Sequence, residues 1–216
     1  MDILGAAISI IILVYSSILH EIAHGYVAYR LGDPTAKLRG RLTLNPVPHI
    51  DPYMTLAIPI ILIITGSPVI FGGAKPVPVD PYNFRDGIKD LALVSVAGPG
   101  TNLLLAIIAS LAIHAIFPGI GFYEVLRQGI FGFVLGTIVR LNLVLAIFNL
   151  IPIPPLDGSK ILAMLLPKKE AAAFLDIGQR MGMFLLFFLL FFPIGGFSLM
   201  DLVGTLINFS LKLLGF

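Results

Sequence analysis

From Ile3 to Tyr29 the chain carries one formally charged side chain, Glu21, and no other feature restricts the fold as strongly. At about 1.5 Å per residue, a helix of this length crosses a hydrocarbon core of roughly 30 Å, where every backbone polar group has to be satisfied within the segment. The expectation is a transmembrane helix with a carboxylate inside it. The remainder agrees: 57% of the 216 residues are hydrophobic, 12% are charged, and the mean hydropathy is +0.99, far above that of soluble domains. Charges gather in short islands between long uncharged runs. We therefore expect an all-α polytopic membrane protein with about five or six transmembrane helices, a re-entrant segment and a short extended edge, folded as one membrane-embedded domain over residues 1–216.

The basic residues orient the chain. Arg30, Lys37, Arg39 and Arg41 follow the first helix and no Lys or Arg precedes it, which puts the N-terminus outside and residues 30–52 in the cytosol. Asp2 is the only charge before Glu21, so a basic signal-peptide flank is missing and the first helix is expected to be retained. Met54 to Thr65 is apolar but short, contains Pro59 and stops at Gly66-Ser67-Pro68, so it reads as re-entrant. Residues 69–80, VIFGGAKPVPVD, suit an extended edge. Leu91 to Tyr123, without Asp, Glu, Lys or Arg, supplies a crossing in which Gly98-Pro99-Gly100 should break helical regularity and permit close helix approach. Gln128 to Leu156, with Arg140 as its only charge, returns the chain to the cytosol. Residues 160–180 read as a cytosolic amphipathic stretch, Met181 to Phe192 as a further span, and Ser198 to Phe216 as a last helix or a surface segment.

The chain has no cysteine, which excludes disulfides, thiolate metal sites and a Cys nucleophile. A formal net charge of +2, with the basic residues at helix ends, gives no reason to expect nucleic acid. No repeat or soluble module is visible, so substrate recognition falls to the membrane core and its loops.

Within the first helix stands His20-Glu21-Ile22-Ala23-His24. Four residues advance about one turn, so both imidazoles leave one face and can share a Zn2+ ion, with Glu21 beside it as general base. Ionisable groups inside a membrane helix cost on the order of 2.5–3.5 kcal/mol for a central charge, which weighs against a merely packed polar cluster. A third ligand has to come from elsewhere, and the candidates are Asp157, His49, Asp51 and His114. Asp157 is the best of them, because it follows Ile151-Pro152-Ile153-Pro154-Pro155, which cannot continue a helix, and precedes Gly158. Its competing reading is an N-cap for a helix starting at Ser159. His114 reads as a packed histidine. His49 has a lower claim to a catalytic or substrate role, against simple hydrogen bonding to loop backbone. Asn102 and Asn149 are candidates for oxyanion or substrate contacts, against a reading as interhelical hydrogen-bonding groups. Arg140 and Asn142 receive no catalytic role.

Together HEIAH, the AGPGTN of Ala97 to Asn102 and the NLIPIPPLDG of Asn149 to Gly158 resemble the site-2 protease family of intramembrane zinc metalloproteases. NPVPHIDP at Asn45 to Pro52 and GGAKPVPV at Gly72 to Val79 look like its compact branch, and no PDZ domain is inserted. The resemblance implies one Zn2+ per chain held by His20, His24 and Asp157, Glu21 as base, and active-site positions for Asn102 and Asn149. It also implies a transmembrane or membrane-anchored protein substrate in the lipid bilayer. The membrane expected is that of a prokaryotic cell, with the active site toward the cytosol. Two other classes remain beside this one. A transporter or metal-permeation protein would require an inverted repeat or a polar path across both leaflets, and neither is visible. A non-catalytic membrane scaffold would have no need of Glu21 beside a complete histidine pair.

Overall fold

The computed structural model describes residues 3–64, 74–193, 195–196 and 198–216. Helices α1 (Ile3–Leu31), α2 (Thr35–Leu38), α3 (Ile58–Ile64), α4 (Gly87–Ile116), α5 (Phe122–Val125), α6 (Gly129–Leu150), α7 (Asp157–Leu165), α8 (Lys168–Phe191) and α9 (Leu199–Leu213) follow in order. The expected all-helical polytopic architecture is observed. Among the described residues four helices, α1, α4, α6 and α8, are long and apolar enough to cross a membrane, against the five or six expected. The difference lies in two places. The apolar stretch after Pro52 forms a π-type turn, Pro52–Ala57, followed by the seven-residue α3, and Thr65 to Gly73 lies outside the described residues. The C-terminal segment forms α9, whose 15 residues extend about 22 Å, short of a full crossing.

Small residues face protein and large ones face outward, the reverse of a soluble core. Ser9, Ser16, Gly25 and Ala28 of α1, Ala92, Gly98, Ala106 and Ala109 of α4, and Gly132, Gly136 and Ala146 of α6 are buried, whereas Ile11, Leu104, Ile108, Leu111 and Phe184 are exposed. Lipid gives apolar side chains no reason to hide, so helices approach where small side chains allow close backbone contact. A core of Ala106, Ile113, Phe122, Val125, Val139, Leu143 and Leu211 joins α4, α5, α6 and α9.

Two local expectations are corrected. The helix expected to be interrupted at Gly98-Pro99-Gly100 runs unbroken from Gly87 to Ile116 with Pro99 inside it. Proline removes one N–H from the ladder, but packing against neighbouring helices holds the segment helical. The expected boundary at Met181 is also absent, because α8 starts at Lys168 and is continuous. Gly178 and Gly182 of α8 seat it on Pro154, where a Cβ at either position would collide.

No strand occurs among the described residues. Ala74 to Asp80 is extended, but its partners are side chains and loop backbone instead of another strand. Lys75 N–H donates to the His49 carbonyl at 2.7 Å, and the Arg41 guanidinium donates to the Lys75 carbonyl at 2.6 Å. Asp80 N–H donates to Asp33 at 2.8 Å. Asp33, fully buried just after α1, also accepts from Thr35 and from the Asn83 amide. Burial alone would push its carboxyl up, but these donors outweigh burial and leave it below the ordinary carboxylate value.

Candidate metal centre

His20 and His24 lie one turn apart on α1, and their rings meet edge to face with centroids 4.5 Å apart. The two Nε2 atoms are 2.9 Å apart. Asp157 Oδ2 approaches them from the start of α7, 3.3 Å from His20 Nε2 and 3.1 Å from His24 Nε2. The N-cap of α7 is Leu156, and Asp157 is the first helical residue, so the helix-cap alternative is not what its carboxylate does. Its second oxygen accepts from Lys160 Nζ at 3.1 Å. Among the described residues, His20, His24 and Asp157 are the group whose ligand atoms converge as a metal would require.

The other ring nitrogens are already committed. His24 Nδ1–H donates to the Val94 carbonyl at 2.6 Å, and His20 Nδ1–H donates to Asn102 Oδ1 at 2.6 Å. Neutral imidazoles bonded in this way present unprotonated Nε2 lone pairs to each other and to a carboxylate oxygen. Such an arrangement is repulsive unless a cation lies among them. Tetrahedral Zn2+ with ligand bonds of about 2.0–2.1 Å sets its ligands roughly 3.3 Å apart, close to the three separations observed. The donor set fits the ion that the sequence implies.

Close approach fixes the surroundings. The two histidine rings lie against the backbone of Gly98, where a Cβ would collide with both Nε2 atoms. A Cβ at Gly158 would collide with the carbonyls of Leu150 and Ile151, so this glycine lets Asp157 turn inward directly behind α6. At Gly98 the expected close helix approach is observed, whereas the expected break in the helix is not. Sequence reading found Gly98 and Gly158. It missed Lys160, which the i,i+3 spacing from Asp157 could have indicated, and it left Asn142 unassigned.

A cavity of about 640 Å³ opens on the site. Its lining includes Ser17, Glu21, Val77, Asn149, Asp157 and Phe187. Glu21 Oε2 accepts the Val77 N–H at 2.6 Å, so this donor of the extended segment is held by the carboxylate. Asn149 borders the cavity and uses its amide to donate to the Leu145 carbonyl at 2.9 Å. Asn102 differs from expectation. It is fully buried, and its amide nitrogen donates to Asn142 Oδ1 at 2.8 Å and to the Ser16 carbonyl at 3.4 Å. Both N–H groups face protein, so neither is available to an oxyanion. His49 is not brought to the metal ligands. Its Nε2 contacts the Thr43 carbonyl at 3.0 Å, and burial lowers its pKa. Asp51 caps the turn at Tyr53. His114 lies at the far end of α4, with Nε2–H donating to the Leu214 carbonyl at 2.7 Å and its ring stacked on Phe216.

Comparison with known proteins gives a consistent result. A family model described as peptidase family M50 matches residues 119–189. The chain is 39% identical over 208 residues to the candidate zinc metalloprotease YwhC of Bacillus subtilis, a match covering 94% of this chain and 89% of that one. It is 34% identical over 140 residues to the candidate zinc metalloprotease Rip2 of Mycobacterium tuberculosis, covering 65% of this chain and 50% of Rip2. With the candidate zinc metalloprotease MJ0611 of Methanocaldococcus jannaschii it shares 35% identity over 96 residues, 44% of this chain and 46% of that one. No solved structure matches. Because the Bacillus subtilis match extends over nearly the whole of both proteins, the chain belongs to peptidase family M50.

Proposed function

We propose that this membrane metalloprotease is a zinc endopeptidase that hydrolyses peptide bonds of transmembrane or membrane-anchored proteins within the bilayer, on its cytosolic side. The observation that carries this reading is the convergence of His20, His24 and Asp157, with Glu21 on the same cavity: the histidines and Glu21 lie on α1, a helix long enough to span lipid, and Asp157 at the start of α7. His24 lies seven residues before the end of α1 and its partner Val94 seven after the start of α4. The centre is therefore about 10 Å inside that end of the bundle.

His20, His24 and Asp157 would hold the ion, and Lys160 keeps the outer oxygen of Asp157 occupied. Bound Zn2+ supplies Lewis acidity, which lowers the pKa of water and offsets negative charge developing on the substrate carbonyl. Glu21 takes a proton from the attacking water as its oxygen joins the scissile carbon. That proton passes to the leaving nitrogen as the C–N bond breaks. The Val77 N–H holds the Glu21 carboxylate in place. With the amide of Asn102 committed, Asn149 is the asparagine on the cavity wall and the better candidate for a substrate or oxyanion contact.

A helical substrate has to unwind before its peptide bond can be attacked. Ala74 to Asp80 is suited to receive the extended chain, in a narrower way than a full strand edge. Lys75 and Val77 turn their N–H groups toward protein, and Pro76 and Pro78 have none. Among the described residues the carbonyls of Pro76 and Pro78 accept no hydrogen bond, which leaves acceptors for a substrate N–H to meet. Glu21→Gln tests the whole reading. It should leave zinc bound near one ion per chain and abolish cleavage of a reconstituted transmembrane substrate. Zinc loss as large as in His24→Ala would make Glu21 a ligand or a fold determinant instead of the base.

A further inference from the structure

We propose that Asn142, a mid-helix residue of α6, is a positioning residue for the metal site: through Asn102 it fixes which nitrogen of His20 carries the proton. The inference rests on the metal-centre reading above and adds the device that prepares one of its ligands.

The chain of bonds has a defined origin. The Ile138 carbonyl can only accept, and Asn142 Nδ2 donates to it at 2.9 Å. Asn142 Nδ2 donates its other hydrogen to Ser16 Oγ, also at 2.9 Å. With the nitrogen on that side, Asn142 Oδ1 faces α4 as an acceptor and receives the Asn102 amide at 2.8 Å. Asn102 Oδ1 is then left toward His20 Nδ1 at 2.6 Å, so that ring nitrogen has to donate. His20 Nε2 is left without a proton, as a metal ligand requires.

Reversing either amide creates conflicts. A flipped Asn142 sets its oxygen against the Ile138 carbonyl. A flipped Asn102 sets its oxygen against Asn142 Oδ1 and the Ser16 carbonyl, and its N–H groups against His20. Only one assignment of oxygen and nitrogen satisfies every partner. Both asparagines are fully buried, so water does not compensate a wrong one. The two histidines are thus prepared differently. His24 bonds directly to a backbone carbonyl, whereas His20 depends on two side chains from two other helices.

The test uses full-length protein in detergent or nanodiscs. Ring nitrogens are read by 15N resonance in the metal-free state, and zinc affinity is read by chelator competition. Wild type should show His20 protonated at Nδ1. Asn142→Ala releases Asn102 to rotate, and it should shift His20 toward the Nε2-protonated form and weaken zinc about ten- to a hundredfold, with His24 unchanged. Asn142→Asp, held as the uncharged acid at this fully buried position, keeps an O–H donor for the Ile138 carbonyl and an acceptor for Asn102, and should preserve the wild-type tautomer. Asn102→Asp has no donor face to turn toward His20, so adding Asn142→Ala to that background should cost no further zinc affinity. An unchanged tautomer and zinc affinity in Asn142→Ala would overturn the proposal. So would equal losses in the Ala and Asp variants, or an undiminished effect of Asn142→Ala in the Asn102→Asp background. Failure of wild type to bind zinc tightly would instead sink the metal-centre reading, because the tautomer is measured without metal.

Discussion

At residue 98 the missing side chain matters as much as those present. Both imidazoles rest on the Gly98 backbone, and the atoms a methyl group would meet are the two Nε2 atoms themselves. These rings cannot swing aside, because their Nδ1 atoms are bonded to Val94 and Asn102. Gly98→Ala should therefore leave the helix intact, since alanine favours helix over glycine by about 1 kcal/mol, while lowering zinc affinity at least tenfold. Helicity by circular dichroism together with metal content checks this, and full zinc occupancy with native helicity would show that the rings have room to move. Local pattern made His20, Glu21 and His24 legible, because one helical turn fixes their mutual geometry. Asn102 was legible as a position with two readings, and the interhelical hydrogen bond is the one the structure shows, though its partners were not legible. Its role is set by Ser16 and Asn142, residues 86 and 40 positions away in sequence, and no spacing rule links three helices. A lone asparagine such as Asn142 in an apolar run carries no local signal of what it touches.

The segment from Ala74 to Asp80 shows what an element adds to its residues. Its alternating prolines made an extended backbone legible, and Pro76 and Pro78 do keep it free of helix. What they could not indicate was the partner. The segment is held at Lys75 by His49 and Arg41, at Val77 by Glu21 and at Asp80 by Asp33, so a side-chain clamp replaces a strand ladder. Val77→Pro removes the donor that holds the Glu21 carboxylate, and a hydrogen bond to a charged group contributes about 1.5–3 kcal/mol. If that bond positions the base for the reaction, kcat should fall about ten- to a hundredfold for every substrate, with zinc occupancy and KM little changed. An increase in KM alone, with kcat retained, would make Val77 a substrate-pairing donor instead.

For the whole molecule, the side-chain bonds fix the relative direction of the three central helices. His20 meets Asn102 while His24 meets Val94, so α1 and α4 run antiparallel. Asn142 meets Asn102, while Asp157, beyond the end of α6, meets His24, so α6 runs parallel to α1. The end of α1, the start of α4 and the end of α6 therefore share one end of the bundle with the metal centre, and residues 117–128 lie at the other. The positive charges divide in the same way. Arg30, Lys37, Arg39, Arg41, Lys75, Arg85, Lys89, Lys160, Lys168 and Lys169 belong to the site end, whereas the opposite end holds Arg127 together with Glu124 and, beside His114, Lys212. An excess of Lys and Arg marks the cytosolic side, so the centre should open toward the cytosol. The chain lacks cysteine, which allows single cysteines to be introduced without background. Arg39→Cys, Lys168→Cys and Tyr123→Cys all replace exposed side chains. A membrane-impermeant thiol reagent should label the first two in inverted vesicles and not in intact cells, and Tyr123→Cys in intact cells and not in inverted vesicles. The reverse pattern at all three sites would leave the fold standing and invert the protein, with substrates then cut from the outer side. Labelling of Arg39→Cys and Lys168→Cys from opposite faces would contradict the helix directions themselves, because both follow segments that end beside the same three ligands.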